Sequence, residues 1–162
     1  MAKVYLGLGS NINAEENLRR GICELRKRFG ELELSGVYQN AAVGFEGDDF
    51  LNLVVGLDTN ETPLGINEQI EAIHRIVGRR RGDERFSSRS LDIDLLLYDD
   101  LILDEPTLRL PRTDILDYSF VLRPIAELAP DRVHPETGRT LAEHWQAFDE
   151  RSQPLTPVSV IL

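Results

Sequence analysis

The chain has 162 residues, 41 % of them hydrophobic, which is enough to bury one full core, so a single domain over residues 1–162 is expected. A net charge of −10 argues against a general nucleic-acid binder or a protein held on an anionic membrane, since most of the surface would repel a polyanion. No apolar run approaches the ~20 residues that span a bilayer, Met1-Ala2-Lys3-Val4 lacks signal-peptide anatomy, and the lone Cys23 excludes an intrachain disulfide; a cytoplasmic protein is expected.

Val4, Leu6 and Leu8 alternate, so residues 3–8 read as a first strand, and Gly9-Ser10-Asn11 turns the chain. A helix follows with Asn13 as candidate cap and Glu16 three residues on. Leu18, Ile22, Leu25 and Phe29 are its apolar stripe, and Gly30 stops it. Cys23 lies beside that stripe and reads as a small, buried or half-buried side chain rather than a nucleophile. Residues 32–38 suggest a short second strand and residues 40–49 a loop. Residues 50–59 form a clear strand, with Leu51, Leu53, Val55 and Leu57 on one face and Phe50, Asn52 and Val54 on the other. Thr62-Pro63 opens a second helix with stripe Ile66, Ile70, Ile73 and Val77, ended by Gly78. An arginine-rich loop precedes a strand from Leu91 onward. Asp99-Asp100 turns, and Leu101-Ile102-Leu103 can pair back as a hairpin. Residues 106–117 read as irregular, residues 118–129 as a short helix, Leu141, Trp145 and Phe148 as a last helix, and residues 153–162 as extended. The order β-α-β-β-α-β predicts an α+β fold: a ferredoxin-like core forming an α/β/α three-layer sandwich with a C-terminal extension.

The chemistry concentrates in Leu91-Asp92-Ile93-Asp94-Leu95-Leu96-Leu97. Strand alternation sends Leu91, Ile93, Leu95 and Leu97 one way and Asp92 and Asp94 the other, roughly 6.6 Å apart along the strand. Carboxylates on a partly covered apolar strand need a cation. Mg²⁺ fits, because it keeps several waters and takes one or two carboxylates plus phosphate oxygens. Upstream, Arg75, Arg79, Arg80, Arg81, Arg85 and Arg89 stand against only Asp83 and Glu84, a local net of +4 in an acidic chain. Charge runs are usually solvated faces. Here Gly78, Gly82, Ser87 and Ser88 bracket the arginines, so the segment reads as a loop, and guanidinium groups suit phosphate. Asn52 is either a satisfied structural amide or a reader of a heterocycle edge. For His74 a packing role is the default, and His134 and His144 are expected to be exposed.

The segment Arg85-Phe86-Ser87-Ser88-Arg89-Ser90-Leu91-Asp92-Ile93-Asp94 resembles the R-W-x-P-R-[ST]-L-D-[IL]-D signature of the 6-hydroxymethyl-7,8-dihydropterin pyrophosphokinase family of the folate pathway. Gly7-Leu8-Gly9-Ser10-Asn11, Phe50-Leu51-Asn52, Gly78-Arg79-Arg80-Arg81, Phe120 with Pro124, and Glu127-Leu128-Ala129-Pro130 are collinear with it. The resemblance implies transfer of pyrophosphate from ATP to a pterin with release of AMP. It implies that Asp92 and Asp94 hold two Mg²⁺ ions and that Arg79, Arg81 and Arg89 are catalytic and face phosphate. It implies that Asn52 bonds the pterin edge, that Phe50 and Phe120 stack on its faces, with Phe86 also at the substrate, and that Arg89, Arg112, His74 and Leu95 contact ATP. Departures fall at His74, where familiar members carry an acid, at Arg112-Thr113, at Tyr118, at Phe86 with Ser87-Ser88, and at Asn40-Ala41. They leave an alternative, a repurposed pterin-binding paralogue with a weakened ATP site. Expected partners are pterin and ATP alone, without nucleic acid or membrane, and a monomer, with a dimer the alternative.

Overall fold

The computed structural model describes residues 1–42, 47–77 and 91–162. Its centre is β1 (Ala2–Ser10), which pairs antiparallel with β4 (Phe50–Thr59) on one side and β5 (Asp92–Tyr98) on the other. β4 also pairs with β2 (Glu33–Leu34) and β3 (Val37–Asn40), and β3 with β8 (Thr156–Val158). The sheet runs β5-β1-β4-β3-β8, with β2 off this path on β4. A separate ribbon joins β6 (Leu103–Glu105) to β7 (Leu108–Leu110).

Helices pack on both faces. α1 (Ala14–Phe29) and α2 (Pro63–Val77) place Leu18, Ile22, Leu25, Ile66, Ile70 and Ile73 against Val4, Leu6, Leu8, Leu53, Val55, Leu57, Ile93 and Leu95. α3 (Asp114–Asp117), α4 (Ser119–Leu128) and α5 (Leu141–Ala147) cover Tyr5, Val54, Leu96 and Leu97 with Ile115, Leu122, Ile125 and Leu141. Among the described residues the fold is thus a mixed one of five helices on an antiparallel sheet. Each fully buried aliphatic side chain contributes roughly 1.5–3 kcal/mol. Two such clusters outweigh any single polar contact at the rim.

The expected bounds of β4 and the start of α2 hold, with the Thr62 hydroxyl accepting from Gly65 N–H at 3.1 Å. Elsewhere the chain corrects the expectation. Asn13 does not cap α1 through its side chain; it is left-handed at φ 43°. Its carbonyl instead accepts from Asn17 N–H at 3.0 Å, while Asn17 Nδ2 donates to Ile12 O at 2.6 Å. The second strand is two, because the Ser35 hydroxyl takes over the Val54 N–H at 2.9 Å and interrupts the ladder. A bulge between Tyr5 and Leu6 sets Leu97 opposite Tyr5, so Leu97 points with the second face and not with Ile93 and Leu95. Leu103 pairs with β7 rather than back on β5, and residues 106–117 include β7 and α3. Cys23 is exposed. His134 is 2 % exposed and not on the surface; its ring accepts from Glu136 N–H at 3.2 Å and meets His144 edge-on at 5.7 Å.

Candidate active site

Strand pairing brings the polar residues to one end of the sheet. Asp92 lies opposite Gly9, Gly9 opposite Asn52, and Asn52 opposite Tyr38. Directly opposed residues share a face, so Asp92, Asp94, Asn52 and Phe50 all point to the side that α4 covers further along. Two strand spacings, roughly 10 Å, separate the Asp92 and Asn52 backbones. Gly9 lies between them, and a methyl there would come within 2.7 Å of Asn52 Oδ1 and 3.8 Å of Phe50 Cδ1.

Asn52 is 6 % exposed. Its Nδ2 donates to Asn40 Oδ1, and Asn40 Nδ2 donates to the Ala41 carbonyl at 3.0 Å. Tyr38, one rung along, bonds Glu127 of α4 through its hydroxyl and lies 4.6 Å from the Arg123 guanidinium carbon. Burial, then the bond to Glu127, push the Tyr38 hydroxyl above its ordinary pKa. Phe120 is half-buried on α4 and stacks on Tyr118 at 5.0 Å. Gln153 fixes that corner: Oε1 accepts from Ser119 N–H and Nε2 donates to Asp117 O, both at 2.9 Å.

On the other side of the aspartates, α2, β5 and the β6–β7 turn enclose a cavity of about 510 Å³. Asp94, Leu95, Arg112, Glu71 and Asn67 are in its lining, and its size suits a small-molecule ligand. Arg112 N–H donates to Leu96 O at 2.9 Å, which brings the guanidinium to Asp94. Nη2 is 3.6 Å from Asp94 Oδ1 and Nε 3.3 Å from Asp114 Oδ2. The second approach is an ion pair without hydrogen-bond alignment, so Nε stays buried with no hydrogen-bond partner among the described residues. Burial opposes the Arg112 charge, but Asp94, then Asp114 and Asp92, outweigh it and raise its pKa above the ordinary value.

His74 is not in the cavity lining. It is 3 % exposed, and Nε2 accepts from Ile93 N–H at 2.9 Å, between the two aspartates. A nitrogen that accepts holds no proton, so the ring proton lies on Nδ1, 3.3 Å from Glu71 Oε1. Arg79, Arg81, Phe86 and Arg89 lie outside the described residues. From the sequence, Gly9 stood out only within a matched motif and Asn40 only as a departure from the family pattern, while the β6–β7 turn was not singled out. The register adds what the sequence could not: it sets Asn40 beside Asn52 and Gly9 between Asn52 and Asp92.

Asp92 and Asp94 suit Mg²⁺ by donor type, being hard oxygen ligands side by side on one face. No group of three or more His, Cys, Asp or Glu gathers among the described residues, so substrate phosphates and water would complete the shell. A carboxylate pair between a cavity and a buried amide is a donor set of the kind that group-transfer enzymes acting on phosphate compounds use.

Comparison with known proteins agrees. Residues 5–130 match the family described as 7,8-dihydro-6-hydroxymethylpterin-pyrophosphokinase (HPPK). The chain is 35 % identical over 147 residues to the 2-amino-4-hydroxy-6-hydroxymethyldihydropteridine pyrophosphokinase of Aquifex aeolicus, covering 88 % of this chain and 90 % of that protein. It is 37 % identical over 145 residues to the like-named protein of Pseudomonas aeruginosa, covering 87 % and 88 %. A crystal structure of Plasmodium falciparum HPPK-DHPS with pterin and p-hydroxybenzoate matches 93 % of this chain with a TM-score of 0.73 at 15 % identity, a likeness of fold. This chain spans 43 % of that longer one. The chain belongs to the 7,8-dihydro-6-hydroxymethylpterin-pyrophosphokinase family.

Proposed function

We propose that the chain transfers pyrophosphate from ATP to 6-hydroxymethyl-7,8-dihydropterin and releases AMP. It is a pyrophosphokinase of folate synthesis, a transferase. The observation that carries the substrate arrangement is the rung Asp92–Gly9–Asn52 with the cavity beyond Asp94. The pterin lies over Gly9 with its edge on Asn52 and its ring faces toward Phe50 and Phe120. ATP occupies the cavity beside Leu95 and Arg112. Its phosphates meet the hydroxymethyl group at Asp92 and Asp94.

Bound there, two Mg²⁺ ions would neutralise phosphate charge and lower the barrier to attack at the β-phosphorus. The chain's own work is positioning and charge balance, as phosphoryl transfer requires. Arg112 adds a cation beside Asp94, and its guanidinium can turn its free donors to phosphate. The family resemblance assigns Arg79, Arg81 and Arg89 to the phosphates as well, and Phe86 to the substrate. His74 acts through β5 rather than on ATP directly, since its ring is committed to Ile93. The strand order β5-β1-β4-β3 with helices on both faces supports a ferredoxin-like α/β/α sandwich, formed as a single domain. A monomer in the cytoplasm is the accompanying reading; among the described residues, no helix is long and apolar enough to cross a membrane.

With ATP, Mg²⁺ and the hydroxymethyl dihydropterin, AMP should appear in step with pyrophosphorylated pterin. No AMP at millimolar ATP would reject the proposal. One observation favours a second reading, a pterin binder with a weak ATP site: Arg112 already spends its charge on Asp94 and Asp114. Calorimetry finding pterin binding but no binding of a non-hydrolysable ATP analogue would select it.

A further inference from the structure

We infer that Asn40 is a positioning residue that fixes which way round Asn52 presents its amide, and so makes the site select a 4-oxo pterin over a 4-amino one. The inference rests on the reading of Asn52 as the pterin contact and goes beyond it to what orients that contact.

An amide side chain has two ends of nearly equal size and opposite hydrogen-bonding sense, so a neighbour must decide its orientation. Here the decision starts at a group with no ambiguity. The Ala41 carbonyl can only accept, and Asn40 Nδ2 donates to it at 3.0 Å. That turns Asn40 Oδ1 toward Asn52, where it can only accept in its turn, so Asn52 must offer Nδ2. Asn52 Oδ1 is thereby driven to the opposite side, over Gly9, where a methyl carbon would lie 2.7 Å from it. Among the described residues none donates to Oδ1, although Asn52 is 6 % exposed. The second Nδ2 hydrogen stays available beside it.

Asn52 therefore shows a ligand an acceptor and a donor in fixed order. A lactam edge, N3–H next to C4=O, matches that order: the ring N–H donates to Oδ1 and the ring carbonyl accepts from Nδ2. The 2-amino-4-hydroxy pteridine in the relatives' name has this edge in its oxo tautomer. A 2,4-diaminopteridine has the reverse edge, an accepting N3 beside a donating 4-amino group. It would match Asn52 only after a flip, which the Ala41–Asn40 relay opposes. A buried site with polar groups left unpaired rejects such an analogue.

The test measures dissociation constants of 6-hydroxymethylpterin and 2,4-diamino-6-hydroxymethylpteridine by quenching of pterin fluorescence, without ATP. The wild-type chain should prefer the oxo compound by about tenfold or more, the equivalent of one misplaced hydrogen bond. Asn40→Leu removes the relay and should bring the ratio to within about threefold of unity. Asn40→Asp keeps an acceptor toward Asn52 and should retain the preference, which a merely structural role would not predict. Asn40→Ala is read in the same way as Asn40→Leu and decides the matter if the leucine variant does not fold. Retention of the full ratio in the leucine or alanine variant overturns the inference, as does a wild type that binds both compounds equally. A wild type that binds neither overturns the reading of Asn52 itself, and the inference with it.

Discussion

Replacing His74 with leucine should loosen β5 between its two aspartates without opening a large hole. Leucine fills a similar volume but offers nothing to Ile93 N–H, which is buried and bonded to Nε2 at 2.9 Å. A buried donor left unpaired costs about 1–3 kcal/mol. For a chain of this size each kcal/mol moves the melting temperature by about 2–4 °C, so a fall of roughly 2–12 °C is expected. His74→Gln keeps an acceptor of similar reach and should recover much of the loss. The assay pairs thermal unfolding with amide exchange at Ile93, which should quicken in the leucine variant alone. Turnover should fall in parallel, because Ile93 lies between the residues proposed to hold metal. A leucine variant that melts within about 1 °C of the wild type, with Ile93 exchange unchanged, would refute the bond's role.

Gly9→Ala puts a methyl 2.7 Å from Asn52 Oδ1 and should raise the pterin dissociation constant at least about tenfold in the folded protein; unchanged pterin affinity would count against the site over Gly9. Asp94→Asn should abolish Mg²⁺-dependent AMP release and lower stability by no more than about 1 kcal/mol, because only a partly exposed pair with Arg112 loses one charge; circular dichroism and melting check the fold. Burial, then the charge of His144, depress the pKa of His134 below 6.5, and burial, then Arg139, do the same to His144. Unfolded imidazoles take up protons near 6.5 that the folded ones refuse, so their contribution is complete above that pH and lost as the pH falls below it. Melting temperatures at about pH 7.5 and about pH 5.5 should therefore differ less in His134→Asn than in the wild type; parallel losses would contradict this.

Where the sequence was legible, one strong pattern stood without competitors. Residues 50–59 alternate over ten positions, and the strand has those bounds. Asp92 and Asp94 stand out because both are charged in an apolar run, and strand geometry alone puts them on one face. Leu95-Leu96-Leu97 carries no such signal. Three identical side chains read equally well on either face, so the bulge that turns Leu97 over was invisible. Asn13, His134 and Asn40 failed for a different reason. Each looks like a loop or surface residue locally, and its state is set by distant chain: Asn40 by β4, His134 by the turn that Arg139 closes. β6, β7 and β8 span three residues each, too short for alternation to show. The arginine-rich stretch was the loudest signal in the chain, and Arg79, Arg81 and Arg89, proposed to meet phosphate, lie outside the described residues.

The contacts that His74 and Arg112 make to β5 have a bearing on solubility. Among the described residues β5 is an outermost strand of the sheet, and such a strand offers unpaired amides and carbonyls on which a foreign chain can build. Here Ile93 N–H is taken by an imidazole and the Leu96 carbonyl by the Arg112 amide. At the opposite rim, β8 carries Pro157, which has no amide hydrogen to extend a ladder. The same two contacts that steady the strand bearing Asp92 and Asp94 thus also occupy two of the groups along its outer side.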